Sequence, residues 1–499
     1  MLVLWHGAFH EFLGTADWLR LSILSKRIRD LLRQVALPDP IWIRHSALAL
    51  RPSEIQAQWP HLRLAATIGP QAHAMVFTTD AFAALHALTV IRCHQVATVG
   101  PLPRLRVLTL DNCAGVATLS GCDALEELTV QCCPQFTCLK PPPGCRSLSV
   151  AQCPHWTDYT AWTALKELSV EANNAHGTTV RIPRQIQRLR LLRVTFDPAT
   201  VAAIADVVLD DCLPATLPDE VQWRTAAVRA TRVSDVTALA RLQTVDLSGS
   251  WCLQDVTPLA CVRRVDLTDC TAVRSVDALT GVADLTLTNC YRVTSVAKLG
   301  HVQRLNLEGC WNLSDIAGLE AVEHLDLSGV GRLTSLPPLP KLKSLVLASN
   351  RSLQLSTHLG HLQSISITDC ILITSVESLR GVPVVHIDGC RQLVDLRPLA
   401  AARDISIANC PMVSDVSPLA SVPTVALRHC CQVSDVAALG ALGVVQSLAL
   451  ERVPFASARG IHRIRRLSII ACWGFADCDL LRPSVALAGC GCARHSKQR

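Results

Sequence analysis

Residues 405–419 read ISIANCPMVSDVSPL, and residues 425–439 read VALRHCCQVSDVAAL. The two segments match with a step of 20 residues, and that step holds far beyond them. Leu267, Leu287, Leu307, Leu327, Leu347, Ile367, Ile387, Ile407 and Leu427 keep it without a slip. So do Cys270, Cys290, Cys310, Cys370, Cys390, Cys410 and Cys430, with Val330 and Asn350 in the two intervening slots. Towards the N-terminus the frame continues through Cys93, Cys113, Cys133, Cys153 and Asn173, then loosens through Val194, Cys212, Thr231 and Ser250. After Cys430 it resumes at Val453, Cys472 and Cys490, so the slots from 93 to 490 mark about 21 repeats of L-x-L-x-x-C-x-x-V-S-D-V-x-x-L. So long a register is the signature of a repeat architecture.

The unit dictates the fold. Leu-x-Leu alternation has the strand period of two, so both leucines face one side. One short strand cannot bury that side alone, and stacked copies form a parallel sheet over a continuous core. Val413, Val416 and Leu419 then pack beneath the sheet from the returning arm. About nine residues remain for that arm, too few for a helix with its turns, so extended, turn or 3₁₀ segments are expected. Composition agrees. Of 499 residues 49% are hydrophobic but only 4% aromatic, which suits many copies of one Leu/Val/Ala/Cys layer. Charged residues at 18% and a net charge of +6 give no basic stripe, which argues against a nucleic-acid binder. No run of about 18 apolar residues exists, so no membrane span is expected. The apolar start, Met1 to Trp5, lacks a basic n-region, which points to a cytoplasmic or nuclear protein.

Val282-x-x-Leu285-x-Leu287-x-x-Cys290 resembles the cysteine-containing leucine-rich repeat, and the Ser-Asp-Val tail resembles the short, internalin-like variety. The resemblance covers about four-fifths of the chain. It implies an α/β solenoid, a leucine-rich-repeat horseshoe with a parallel concave sheet and a mostly non-helical convex side. The solenoid is expected over 88–490, after a bridging region at 46–87, with a basic tail at 491–499.

Fourteen of the 23 cysteines occupy the ladder slot, and Asn, Val, Thr or Ser fill the rest. The slot therefore calls for a small buried group able to meet a turn's backbone, as a thiol or an amide does. Neighbouring ladder thiols would come within bridging range, but their Cβ vectors run parallel. Free thiols in a reducing compartment are the expectation. Cys132-Cys133 and Cys490-Gly491-Cys492 have no second pair or histidine at zinc spacing, and no metal or other cofactor is expected.

Residues 1–45 differ in character. Asp17 is a candidate N-cap for a helix with apolar residues at 18, 21, 24, 28 and 31, so a short N-terminal helical segment is expected. It reads equally as a cap closing the solenoid core. Phe9-x-x-Phe12-Leu13-x-x-x-Asp17-Trp18-Leu19-Arg20-Leu21-Ser22, followed by Trp42, resembles the F-box, although the family's opening Leu-Pro has no match in Met1 to Leu4. The resemblance implies docking on a Skp-type adaptor of a cullin ubiquitin ligase through Phe9, Leu13, Trp18, Leu19, Leu21 and Leu24. The repeats would then capture the substrate. The alternative is a leucine-rich repeat scaffold or regulatory subunit without a ligase link.

Catalytic motifs are missing from the sequence: no phosphate loop, no G-x-G-x-x-G after a strand, no H-E-x-x-H and no G-x-S-x-G. The recurring Ser-Asp pairs, such as Ser414-Asp415 and Ser434-Asp435, read as turn residues. The expectation is a non-enzymatic protein that binds protein partners. Residues flanking the strand leucines should line the concave face: Arg264, Asp266, Asp284, Arg304, Asn306, Glu308, His324 and Asp326. Glu127, Glu167 and Glu171 give the N-terminal third an acidic cast, and Trp251, Tyr291 and Trp311 should line one rim.

Overall fold

The computed structural model describes residues 41–43, 64–68, 84–138, 140–172, 179–213, 216–355, 359–475, 477–481 and 485–488. The chain divides into two compact units, Met1–Thr231 and Arg232–Arg499.

In the N-terminal unit parallel strands follow one another from Leu64–Ile68 through Leu85–Ile91, Val107–Asp111, Glu127–Gln131 and onward to Thr225–Arg229. Register follows the repeat, with Leu108 opposite Leu128, Leu128 opposite Leu148 and Leu148 opposite Leu168. Sheet pairing begins earlier than residue 88, because Ile41–Ile43, which contains the tryptophan of the F-box resemblance, pairs in parallel with Leu64–Ala66. No 20-residue frame connects those segments, which is why the sequence period does not reveal them. The other residues of that resemblance, Phe9 to Leu24, lie outside the described residues, as does the tail 491–499.

The C-terminal unit repeats the plan from Thr244–Asp246 to Ala486–Ala488, again with one parallel strand per repeat. Val265, Leu285, Leu305 and Leu325 stand in register, and the second leucines, Leu267 to Leu327, are fully buried. Val413, Val416 and Leu419 come up beneath the sheet and are likewise buried. Each such side chain contributes roughly 1.5–3 kcal/mol by leaving water. Little helix is present among the described residues. The arm instead makes 3₁₀ turns, as at Thr257–Cys261, Arg397–Leu399 and Ser417–Ser421, each with proline near its start. Proline has its φ preset for such a turn and lacks the N–H that the first turn cannot use. Parallel strands, one per 20-residue repeat, with a largely non-helical arm are what the leucine-rich-repeat reading expects.

Two local devices set each layer. The residue before the ladder slot lies in the left-handed region, for example Asp269 at φ 58°, Asn289 at 60° and Gly309 at 71°. Asn, Asp and Gly tolerate that conformation best. At Gly309 a Cβ would also press on the Asn289 side chain of the preceding layer. The second device is the aspartate that recurs at the start of the arm, preceded by Ser in some repeats and by Gln or Val in others. Asp235, Asp255, Asp395, Asp415 and Asp435 each accept a hydrogen bond from the amide two residues on, at 2.8–2.9 Å. These Asx turns start the arm's turns, so the recurring aspartate is a structural cap.

Candidate partner-binding face

Side chains that alternate with the strand leucines point away from the core. In the C-terminal unit they form columns across the layers, fixed by register. One column runs Arg264, Asp284, Arg304, His324, and the next runs Asp266, Thr286, Asn306, Asp326. Asp284 is shared: its Oδ2 lies 2.7 Å from Arg264 Nε and 3.9 Å from an Arg304 guanidinium nitrogen. One carboxylate thus sits between two guanidinium groups, leaving the column with a net positive charge. Arg264 and Arg304 are exposed, and Asp284 is half-buried between them.

The second column is partly committed to the backbone. Asp266 accepts the Thr268 amide at 2.9 Å and the Thr268 hydroxyl at 2.7 Å. Asn306 accepts the Glu308 amide at 2.8 Å, and Asp326 accepts the Ser328 amide at 2.9 Å. The strands here are three residues long, whereas Ser344–Ala348 and Ser364–Thr368 run to five. Arg264, Asp284, Arg304, Asn306, His324 and Asp326 line an open groove of about 450 Å³, joined by Ser344 and Val346. Asp266 and Glu308 lie outside that lining.

The three aromatic residues stand elsewhere, on the turn that follows each strand. Trp251 is 50% exposed and Trp311 60% exposed. Tyr291 packs edge-on against Trp311 with ring centroids 5.7 Å apart, and the Arg232 guanidinium lies 5.7 Å from the Trp251 ring.

The N-terminal unit holds a second groove, of about 260 Å³, that the sequence pattern did not single out. Ser147, Ser149, Ser169, Glu167, Arg188 and Arg190 line it. Arg188 donates to Glu167 at 2.8 Å, and Arg193 donates to Glu171 at 2.8 Å. The acidic cast read from Glu167 and Glu171 is therefore neutralised one layer on. The Glu167–Arg188 step is 21 residues rather than 20, so a strict period misses the pairing.

The cysteine ladder faces the core. The described ladder cysteines are free thiols. Burial pushes the thiols of Cys270, Cys310, Cys390 and Cys410 up to about 12, far from the thiolate that nucleophilic chemistry requires. Among the described residues no group of three or more His, Cys, Asp or Glu is placed to hold a metal ion. No helix among them is long and apolar enough to cross a membrane.

No family model matches the chain, and no curated protein matches it. Among solved structures, an internalin from Listeria monocytogenes is similar at 19% identity over 53% of this chain and 86% of its own, with a TM-score of 0.41. A leucine-rich repeat protein of Leptospira interrogans is similar at 12% identity over 95% of both chains, with a TM-score of 0.26. The plant peptide hormone receptor RGFR1, in complex with RGF2, is similar at 11% identity over 84% of this chain and 91% of its own, with a TM-score of 0.24.

Proposed function

We propose that the chain is a non-enzymatic recognition protein that binds a protein partner on the strand face of its repeats. The observation that carries this reading is the groove along Arg264, Asp284, Arg304 and His324, where mixed charges are arrayed on a rigid sheet. Such an array favours specificity and steering towards a surface of complementary charge. The F-box resemblance of residues 9–27 adds the finer proposal that the partner is a substrate delivered to a cullin-type ubiquitin ligase through a Skp-type adaptor. A scaffold without a ligase link shares the strand-face site and differs only in what residues 1–40 do. A ladder of buried cysteines suits a reducing compartment, cytoplasmic or nuclear.

The test is co-purification from cross-linked cells with full-length chain and with the charge reversal Arg304→Glu/Glu308→Arg. Partners that the wild type retains and the reversal loses support the strand face as the binding site. An unchanged partner set sinks it.

A further inference from the structure

A second surface runs across the layers of the C-terminal unit, on the edge where each strand has just turned. It comprises, in each repeat, the ladder residue and the four that follow. From Arg232 to Ser434 the one acidic residue in this band is Asp235, whose carboxylate is turned back onto the Thr237 amide and hydroxyl. Arg232, Arg274, Arg292, Arg332, Arg351 and Arg391 occupy it, all exposed and none in an ion pair with a described residue. The aspartates just beyond the band are turned back onto their own turns, as Asp255 is onto the Thr257 amide and Asp315 onto the Ala317 amide. Beside these unneutralised guanidinium groups the same band exposes large apolar side chains. Trp251 and Trp311 are followed, further along, by Ile371 at 41%, Leu372 at 40% and Met412 at 46% exposure.

We propose that this edge is a docking site for an acidic polypeptide segment carrying apolar anchors, laid across the layers. The proposal goes beyond the strand-face reading and does not depend on it. Charge complementarity selects an anionic occupant, and the apolar members select a polypeptide over a single-stranded nucleic acid. Nucleobases need open aromatic faces on which to stack, but Tyr291 and Trp311 are packed edge to face on each other. Ile371, Leu372 and Met412 offer aliphatic surface that suits apolar side chains. Spacing agrees as well. Arg292 and Arg332 are two layers apart, about 10 Å, which matches carboxylates three residues apart on an extended chain. Arginine and tryptophan are also the residue types that dominate binding energy at protein interfaces.

The experiment selects a display library of random peptides, roughly 15 residues long, against the full chain. The enriched sequences should combine Asp or Glu with aromatic or aliphatic residues. A labelled peptide from that pool should lose about tenfold or more in affinity, over 1.4 kcal/mol, for Trp311→Ala and separately for Arg292→Glu/Arg332→Glu. Arg304→Glu on the strand face should leave it unchanged, so failure here and failure of the strand-face reading are distinguishable. Every substituted side chain is exposed or half-exposed, and an unchanged melting curve verifies folding for each variant. Enrichment of no acidic sequences overturns the proposal, as does binding indifferent to both edge variants. So does a fifteen-nucleotide oligothymidylate that binds more tightly than the peptide and is lost in the same variants.

Discussion

The Sγ of Cys290 lies 3.0 Å from the carbonyl oxygen of Leu267, one layer back, and that oxygen also accepts the amide of Cys270 at 3.0 Å. The contact recurs between Cys270 and Leu247 at 3.1 Å and between Cys310 and Leu287 at 3.1 Å. At the next donor-bearing slot Asn350 Nδ2 donates to Leu327 at 2.8 Å. The carbonyl at the strand's end is used twice, once to close its own turn and once to bind the next. A buried carbonyl is thereby kept satisfied while the layers are locked in register.

That equivalence between thiol and amide is testable at Asn350, which is fully buried and donates to both Leu327 and Val330. Asn350→Ala removes two buried hydrogen bonds, each worth about 0.5–1.5 kcal/mol, and should cost about 1–3 kcal/mol. Asn350→Cys, which installs the commoner occupant, should cost clearly less. Urea unfolding of the two variants decides, and equal losses would mean that the slot selects only for size.

The ladder thiols of the C-terminal unit also fix an alkaline limit. Burial holds Cys270, Cys310 and Cys390 near about 12 when folded, against about 8.5 for an unfolded thiol. Above the lower value the unfolded chain releases protons that the folded chain retains, so stability falls as pH rises towards the higher one. The loss is at most about 1.4 kcal/mol per pH unit per thiol. Melting temperature should be flat from pH 7 to 8 and then drop steeply. In the native protein, alkylation should mark the exposed Cys261 and Cys431 first, with the ladder thiols reacting only on unfolding. Rapid alkylation of Cys290 in the native state would contradict the packing.

Much of this organisation is legible from residues alone. Leu267 to Leu427 give the register without a slip, and the ladder slot announces a small backbone-directed group. Strand length was not legible. Asp266, Asn306 and Asp326 look like ordinary face residues, and only the structure shows their side chains closing the turns that follow their strands. The N-terminal groove escaped because its charges pair across irregular steps, Glu167 with Arg188 and Glu171 with Arg193. A pattern of period 20 finds what the core repeats, whereas surface chemistry is free to vary from layer to layer.

Core layers should be costly to damage. Leu307 is fully buried, with Leu287 and Leu327, equally buried, one layer to either side. Leu307→Ala should destabilise by about 2–5 kcal/mol, because flanking layers tied by hydrogen bonds cannot collapse into the cavity. Denaturant unfolding measures it, and a loss under about 1 kcal/mol would show that the site relaxes freely.

A final prediction separates the two ends of the molecule. If residues 9–27 act as an F-box, Leu21→Asp should abolish binding of a purified Skp-type adaptor, since it would place an unpaired charge in an apolar contact. The same change should leave the repeats around Leu307 folded, because solenoid contacts run between neighbouring layers. Arg304→Glu/Glu308→Arg should do the reverse, weakening partner capture while adaptor binding persists. Adaptor binding and hydrogen exchange on the same three proteins report both effects. Suppose instead that the wild type binds no adaptor and Leu21→Asp loosens the first strands, such as Leu85–Ile91. The N-terminal segment is then a cap closing the core, and the protein is a recognition scaffold whose partner is not routed to a ligase.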